Sequence, residues 1–252
     1  MYKIFKMIRI ITIIALFLIV EVNFAQNIKA TYSAELNETI FNPDSIPNAD
    51  YALMVAKMNW SSEMAIKEIK IIVISDNNTY QVYSENPNYL QVSERIYDFA
   101  QGLITDGKFI HTQLGKNRSY YVPNDLDFVR QVETTNINWI ITDSSKVING
   151  KEAVLAIPKL KNIKNEYAKK VPKECWFFPE VKFQGGPTAY ATLPGLIAEL
   201  NTDIVNLKLE KIEYGEFEFK EFNIHNLKVK THNEYEKYYK ELKENHTPKD
   251  FR

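Results

Sequence analysis

Residues 205–224 read VNLKLEKIEYGEFEFKEFNI, and the alternation of apolar and polar side chains in this stretch decides the fold. Such alternation is typical of a β-strand that buries one face. Val205, Leu207 and Leu209 share a face, whereas Ile212 and Tyr214 are one residue out of phase with them. This slip indicates a β-bulge or a strand that crosses between core layers.

The second half of the stretch repeats the pattern after Gly215, with apolar side chains at Phe217, Phe219, Phe222 and Ile224. We therefore expect a second strand beside the first. A flat sheet has no need of phase slips, whereas bulges bend a strand and increase its twist. The stretch as a whole predicts a strongly curved sheet.

Hairpins elsewhere in the chain make this sheet antiparallel. One is predicted over residues 67–85, with its turn at 76–78, and another over residues 108–121, with its turn at 115–117. A third pairs residues 139–141 with 153–157 across Asn149 and Gly150. Asn-Gly between apolar runs is the strongest short signal for a hairpin.

Helices are the minority in the expected fold. Short helices are expected within residues 46–66 and 92–103. Thr231 and Glu234 form a capping-box pattern that starts an amphipathic C-terminal helix. The fold class is therefore mainly β, in one domain without repeats or linkers, and its curved antiparallel sheet is similar to the half-barrel of lipoprotein carriers.

The N-terminus predicts export. Lys3, Lys6 and Arg9 precede a short apolar run over residues 10–20, and cleavage after Ala25 leaves a domain of residues 26–252. A retained membrane anchor is the alternative, although the apolar run is shorter than the about 20 residues that span a bilayer. We expect a protein of the periplasm or cell envelope, or a secreted one, without an integral membrane segment once the signal is removed.

Composition argues against a nucleic-acid partner. Removing residues 1–25 leaves 28 basic and 31 acidic residues, a formal charge of −3, and no basic block stands out. The partner stays unknown at this point, and an apolar ligand and an envelope protein are the two candidates.

The residues that carry chemistry are sparse, so the sequence favours a protein that is not an enzyme. Cys175 is the single cysteine, and a small buried hydrophobe is a more frequent role for it than a nucleophile. The four histidines lack the close spacing of a zinc site, so no metal or cofactor is expected. Carboxylates are abundant, and a hydrolase that pairs two of them stays open.

The stretch TLPGLI at residues 192–197 predicts a sharp corner. Pro194 followed by Gly195 suits a type II turn in which Gly195 has a positive φ. Large aliphatic neighbours would bury the corner, and residues 197–200 would leave it as a strand. A ligand site is the alternative. Gly185-Gly186-Pro187 is not a phosphate loop, because it lacks the following Lys-Ser/Thr.

This corner resembles the signature of the GLPGLI family, exported proteins mostly of Bacteroidetes-type bacteria. Thr192 replaces the first glycine of the signature, and Lys151 and Ala153 depart from an upstream family element, so a family disulfide to Cys175 is not expected. The resemblance implies no activity, since the family has no established biochemical function. The residues that carry it, interpreted as structural, are Trp139, Gly150, Trp176, Pro179, Gly186, Pro187, Leu193, Pro194, Gly195, Leu196 and Ile197.

Three hypotheses about function follow. The first is an envelope protein that binds an apolar ligand or lipid, which should show a continuous apolar cavity. The second is an adaptor for other proteins, which should show an exposed apolar patch or an open strand edge. The third is a hydrolase, which should show carboxylates converging in a polar cleft.

Overall fold

The computed structural model describes residues 27–85, 92–105, 107–123, 127–134, 137–160, 171–190 and 192–246. The predicted signal peptide, residues 1–25, lies outside the described residues. Among the residues that are described, no helix is both long enough and apolar enough to cross a membrane.

The described chain contains twelve strands and three α-helices. The strands are β1 (Asn27–Leu36), β2 (Ile71–Ser75), β3 (Thr79–Ser84), β4 (Phe109–Gln113), β5 (Arg118–Val122), β6 (Val129–Glu133), β7 (Ile137–Ile148), β8 (Lys151–Leu160), β9 (Glu174–Phe178), β10 (Leu196–Asn201), β11 (Val205–Gly215) and β12 (Val229–Thr231). The helices are α1 (Ala49–Glu68), α2 (Glu94–Thr105) and α3 (His232–His246).

All twelve strands form one sheet, in the order β12-β6-β5-β4-β3-β2-β1-β11-β10-β9-β8-β7. Every pairing is antiparallel except that of β12 with β6. The sheet is curved and does not close, which confirms the expected mainly β fold of one domain. Its two end strands are β7 and β12.

The turn chemistry read from the sequence explains the hairpins. In the β2–β3 turn the Asp76 carboxylate accepts hydrogen bonds from the backbone N–H groups of Asn78 and Thr79, both at 2.7 Å. In the β7–β8 turn Asn149 and Gly150 have φ of 49° and 76°. Two successive positive φ angles are those of a type I′ turn, which matches the twist of the flanking strands. The three predicted hairpins are confirmed.

The predicted phase slip in β11 is confirmed as a bulge. Thr31 of β1 pairs with Lys211 and Tyr32 pairs with Leu209, so Glu210 is the extra residue. The bulge returns Ile212 to the side of the sheet that Leu209 occupies, opposite Ala30. The interior face of β1 and β11 thus stays apolar along its whole length.

The prediction of a second strand after Gly215 was wrong. Residues 216–223, here called the strap, form no strand but lie on the outer face of the sheet, where they contact β3 and β4. Phe217, Phe219 and Phe222 are half-buried, whereas the residues between them are exposed. An extended chain lying on a surface buries every second side chain just as a strand does. Periodicity therefore could not distinguish the two.

A buried glutamine holds the strap in place. The side-chain amide of Gln81, in β3, donates to the carbonyl of Lys220 at 2.8 Å, and its oxygen accepts from the Lys220 N–H at 2.7 Å. Gln81 is 1% exposed and supplies the backbone pairing that a neighbouring strand would otherwise give. Farther along, the Phe222 ring stacks on His111 of β4 with centroids 4.6 Å apart.

His111 makes this attachment sensitive to pH. Burial lowers the pKa of His111 from its ordinary value of 6.5, and the Gln81 amide lies 3.2 Å from its Nδ1, where the neutral ring can accept a hydrogen bond. Above about pH 6.5 the imidazole is neutral in both states, so its contribution to stability is complete. As the pH falls below that value, the unfolded chain binds the proton first and stability is lost.

We therefore expect the free energy of unfolding to fall more steeply between neutral and mildly acidic pH in the wild type than in His111→Phe. Urea unfolding at a series of pH values measures this difference. Equal slopes for the two proteins would show that His111 does not titrate differently on folding.

The inner face of the sheet carries the main core. α1 packs against β1 and α2, as its buried side chains require. Both helices lie close to the predicted positions, and Asn48 caps α1 by accepting from the Tyr51 N–H at 2.9 Å. The capping box of α3 is confirmed, because Glu234 accepts from the Thr231 N–H at 2.7 Å. α3 packs against β6 and β12 at one end of the sheet.

Candidate functional site

The corner predicted at Pro194-Gly195 exists, but its turn type was wrong. The Gly195 N–H donates to the carbonyl of Leu193 at 2.8 Å, which closes a three-residue turn around Pro194. This is the bonding pattern of a γ-turn, whose inverse form suits the φ to which proline is restricted. Gly195 does not have a positive φ, so the expected type II turn is absent.

Glycine is needed at position 195 because another backbone lies against it. A Cβ atom added to Gly195 would lie 2.2 Å from the carbonyl oxygen of Phe178 and 3.2 Å from Cδ2 of Phe177. Both residues belong to β9, which pairs with the strand that follows the corner. The motif thus brings two stretches of chain closer together than any side chain would permit.

The aliphatic part of the motif is buried, as expected. Leu193, Leu196 and Ile197 are at most 1% exposed. The carbonyl of Ile197 accepts a hydrogen bond from the Tyr32 hydroxyl at 2.6 Å, and the Ile197 N–H donates to Gly185 at 3.0 Å. These contacts fasten the corner to β1 and to the segment that contains Gly186 and Pro187, both of which are buried.

Pro194 is exposed and stands between two clefts. The first, here called the corner cleft, has a volume of about 390 Å³. Its lining consists of Asn117, Thr134, Asn138, Trp139, Ile141, Thr192, Leu193 and Pro194. The second, of about 350 Å³, lies on the other side of Pro194 and includes Pro179.

Trp139 is fixed in the wall of the corner cleft. Its indole Nε1 donates to the Thr192 hydroxyl at 3.0 Å, so a residue of β7 is tied to the residue that precedes the corner. The side chains of Trp139 and Ile141 lie on the same face of β7, two residues apart. Together with Leu193 and Pro194 they give the cleft its apolar lining, and asparagine and threonine residues give it polar groups.

The structure brings together only some of the motif residues. Trp139, Pro179, Leu193 and Pro194 meet around the clefts. Gly150 lies in the β7–β8 turn, away from them. Trp176 lines neither cleft. The Lys146 ammonium lies 4.4 Å from the centroid of the Trp176 ring and also forms an ion pair with Glu199.

Cys175 lies in the core rather than in a cleft. It is fully buried, and burial, followed by the nearby charge of Glu174, raises the pKa of its thiol well above the ordinary value. A thiol with a raised pKa is rarely ionised at neutral pH and is therefore a poor nucleophile. The interpretation of Cys175 as a small buried hydrophobe is confirmed.

Sequence reasoning missed the remaining residues of the corner cleft. Asn117 and Thr134 adjoin the ends of β5 and β6, where the Thr134 N–H donates to the Asn117 carbonyl at 2.9 Å. These strands belong to the opposite end of the sheet from β7. The short connection between the end of β6 and the start of β7 keeps Thr134 close to Asn138, whereas bringing Asn117 near Ile141 also requires the curvature of the sheet.

The corner cleft adjoins an end strand of the sheet. β7 pairs with β8 on one side, and within the described residues it has no strand on the other. Ile140 and Ile141 are 52% and 50% exposed, and Val147 is 74% exposed. The pairing with β8 shifts register between Ile141 and Ser145, so a bulge divides β7 into two short segments.

Comparisons with known proteins give little support for any identity. No family model and no curated protein matches the chain. Two solved structures of PNGF-II, in space groups C2 and P21, align with it at TM-scores of 0.49 and 13% sequence identity. The alignments cover 84% and 85% of this chain but only 32% and 33% of PNGF-II, so the chain spans about a third of that protein. Membership of the GLPGLI family stays a prediction.

Proposed function

We propose that this chain is a protein-interaction module that binds an extended segment of a partner protein along β7. The observation that carries the proposal is the position of the corner cleft, which opens beside the first half of the sheet's end strand. The partner's backbone pairs with β7, and one of its apolar side chains enters the cleft. Such strand addition takes affinity from backbone hydrogen bonds and specificity from side-chain pockets.

The backbone of β7 supports this mode of binding. A strand at the end of a sheet has N–H and C=O groups on its outer side that no neighbouring strand satisfies. The bulge after Ile141 limits regular pairing to the first segment of β7, because a bulge interrupts the ladder. The Thr142 hydroxyl, which donates to the Leu155 carbonyl at 3.1 Å, holds the chain in this bend. The bound segment is therefore short.

The side chains around β7 set the partner's chemistry. Trp139, Ile141 and Pro194 offer apolar surface to a side chain that points into the corner cleft. On the opposite face, Ile140 lies directly across from Ile157, which is also exposed, and the pair forms an apolar patch. An extended peptide with apolar residues at alternate positions can contact both surfaces, since successive side chains point to opposite faces.

The open edge of β7 and its apolar patch are the features expected of the adaptor among the three hypotheses about function. The described cavities are separate clefts of about 350–410 Å³. Together with the predicted export, the open edge favours an adaptor in the cell envelope whose partner is another envelope protein.

Peptide display tests the proposal. A library of random peptides is selected on the wild-type protein, and the enriched peptides are then titrated against the wild type and against Ile141→Glu, which places a charge at the cleft without burying it. We expect enriched peptides with apolar residues at alternate positions, and dissociation constants that rise at least about tenfold for Ile141→Glu, equivalent to about 1.4 kcal/mol.

The matched control is Val147→Glu, because Val147 lies in the same strand beyond the bulge and is more exposed. This variant should bind the selected peptides as the wild type does. Peptides that bind the wild type and Ile141→Glu equally well would overturn the proposal, and so would a selection that enriches nothing.

A further inference from the structure

A second cavity, separate from the corner cleft, lies beneath the strap. It has a volume of about 410 Å³, within the range of small-molecule sites. Helix α2 forms one wall, strands β4 and β5 form the floor, and the strap forms the other wall. The lining residues are Ser84, Tyr97, Asp98, Gln101, Lys108, Phe109, Val122, Lys220, Glu221 and Phe222. None of them lines the corner cleft.

The wall that α2 forms is held in place by buried polar groups. Gln101, which is 5% exposed, donates from its side-chain amide to the Ser84 hydroxyl. The Tyr97 hydroxyl donates to the carbonyl of Glu85 at 2.9 Å. These bonds connect α2 to the end of β3, so this wall is preformed, which lowers the cost of ordering it around a ligand.

The strap wall is also fixed. Gln81 holds the backbone of Lys220 through two hydrogen bonds, and the Lys220 ammonium lies 3.6 Å from the centroid of the Tyr83 ring. Partial burial lowers the pKa of Lys220. The next aromatic residue, Phe222, packs against Phe109 with centroids 5.7 Å apart, and the two rings give the cavity an apolar surface.

Charges of both signs surround this apolar surface. Lys108 and Lys220 are the cations, and Asp98 and Glu221 are the carboxylates. Within the described residues, no ion pair joins Lys108, Lys220 or Glu221 to another side chain. Lys108 and Glu221 can therefore pair with the charges of a ligand, and the Lys220 ammonium, which lies on the Tyr83 ring, carries no neutralising carboxylate among the described ion pairs.

We infer that this cavity binds a small zwitterion with an apolar body, such as an apolar amino acid or a short peptide with free termini. The ligand carboxylate lies between Lys108 and Lys220, its ammonium group lies toward Glu221, and its side chains pack on Phe109 and Phe222. A neutral apolar ligand would desolvate the charged groups without replacing their hydration. A simple anion would leave the carboxylates beside a like charge.

Three related peptides test this inference by isothermal titration calorimetry on the full chain. Leucyl-leucine carries both charges, N-acetyl-leucyl-leucine lacks the ammonium group, and leucyl-leucine amide lacks the carboxylate. The apolar body is the same in all three. We expect leucyl-leucine to bind at least about tenfold more tightly than either derivative, a difference of about 1.4 kcal/mol.

Variants then assign the two charges. Lys108→Gln should weaken the binding of leucyl-leucine several-fold and leave the binding of the amide unchanged. Glu221→Gln should also weaken the binding of leucyl-leucine several-fold, but it should leave the binding of the acetyl derivative unchanged. Lys116→Gln is the control, because Lys116 is exposed at the other end of β4 and lines none of the described clefts.

Equal affinities for the three peptides would overturn the inference, as would the absence of binding at millimolar concentrations. Ile141→Glu should bind leucyl-leucine as the wild type does. The two proposals are thus tested independently, and a negative result for the corner cleft does not contradict binding in the second cavity, nor the reverse.

Discussion

Gly195→Ala is expected to destabilise the protein by about 3–5 kcal/mol, a large part of the about 5–15 kcal/mol that stabilises a typical domain. The added methyl group would lie 2.2 Å from the carbonyl oxygen of Phe178. The obstacle is backbone of β9, which is paired on both sides with β8 and β10, so it cannot turn aside as a flexible side chain would. Either β9 or β10 must move, and both belong to the main core.

Urea unfolding, monitored by circular dichroism, measures the effect, and the yield of soluble protein gives an independent readout. Gly102→Ala is the matched control, because a Cβ atom added to Gly102 meets nothing within 4 Å. Gly102 lies within α2, where alanine is favoured over glycine by about 0.5–1 kcal/mol. A Gly195→Ala protein that unfolds at the wild-type urea concentration would show that the close approach of β9 is not required.

Tyr32→Ala should produce the second large loss, of about 3–5 kcal/mol, which is the cost of truncating a buried aromatic side chain. Tyr32 is fully buried in β1, at the bulge opposite β11. Its hydroxyl donates to the carbonyl of Ile197 at 2.6 Å, beside a second bulge, in β10. Burial raises the pKa of Tyr32 well above its ordinary value, so the hydroxyl keeps its proton and remains a donor.

Tyr32→Phe separates the two contributions of this side chain. It keeps the ring but removes the donor, which leaves the Ile197 carbonyl without that bond at a cost of about 1–3 kcal/mol. We therefore expect the stability of Tyr32→Phe to lie between those of Tyr32→Ala and the wild type in urea unfolding. A Tyr32→Phe protein as stable as the wild type would contradict the proposed role of the hydrogen bond.

Much of the fold could be predicted because its signals are local. Asn149-Gly150 specifies a tight turn through the φ angles that these two residues tolerate, and the structure has that turn. The phase slip between Leu209 and Ile212 locates the bulge within three residues, because side chains alternate strictly along a strand. Thr231 and Glu234 mark the start of α3 through hydrogen bonds within a single turn.

Two predictions were wrong because one local pattern fits two tertiary arrangements. The alternating phenylalanines are as compatible with the strap as with a strand. In the strap, the side-chain amide of Gln81, which is distant in sequence, makes the backbone hydrogen bonds to Lys220 that a neighbouring strand would otherwise make. Pro194-Gly195 suits a type II turn, yet the glycine is present because Phe178 leaves no room for a Cβ atom. Propensity describes a residue's own backbone and contains no information about a neighbouring strand.

The sequence by itself determined the strands of the three hairpins, their turns, the bulge in β11 and the buried corner, since each depends on side-chain alternation or on φ preferences within a few residues. Only the tertiary structure decided which residues form the candidate sites. The corner cleft requires Asn117, Ile141 and Pro194 to meet, and the second cavity requires α2 to face the strap. Those contacts depend on how far a twelve-stranded sheet curls, a sum of small rotations between strands that no short stretch of sequence contains.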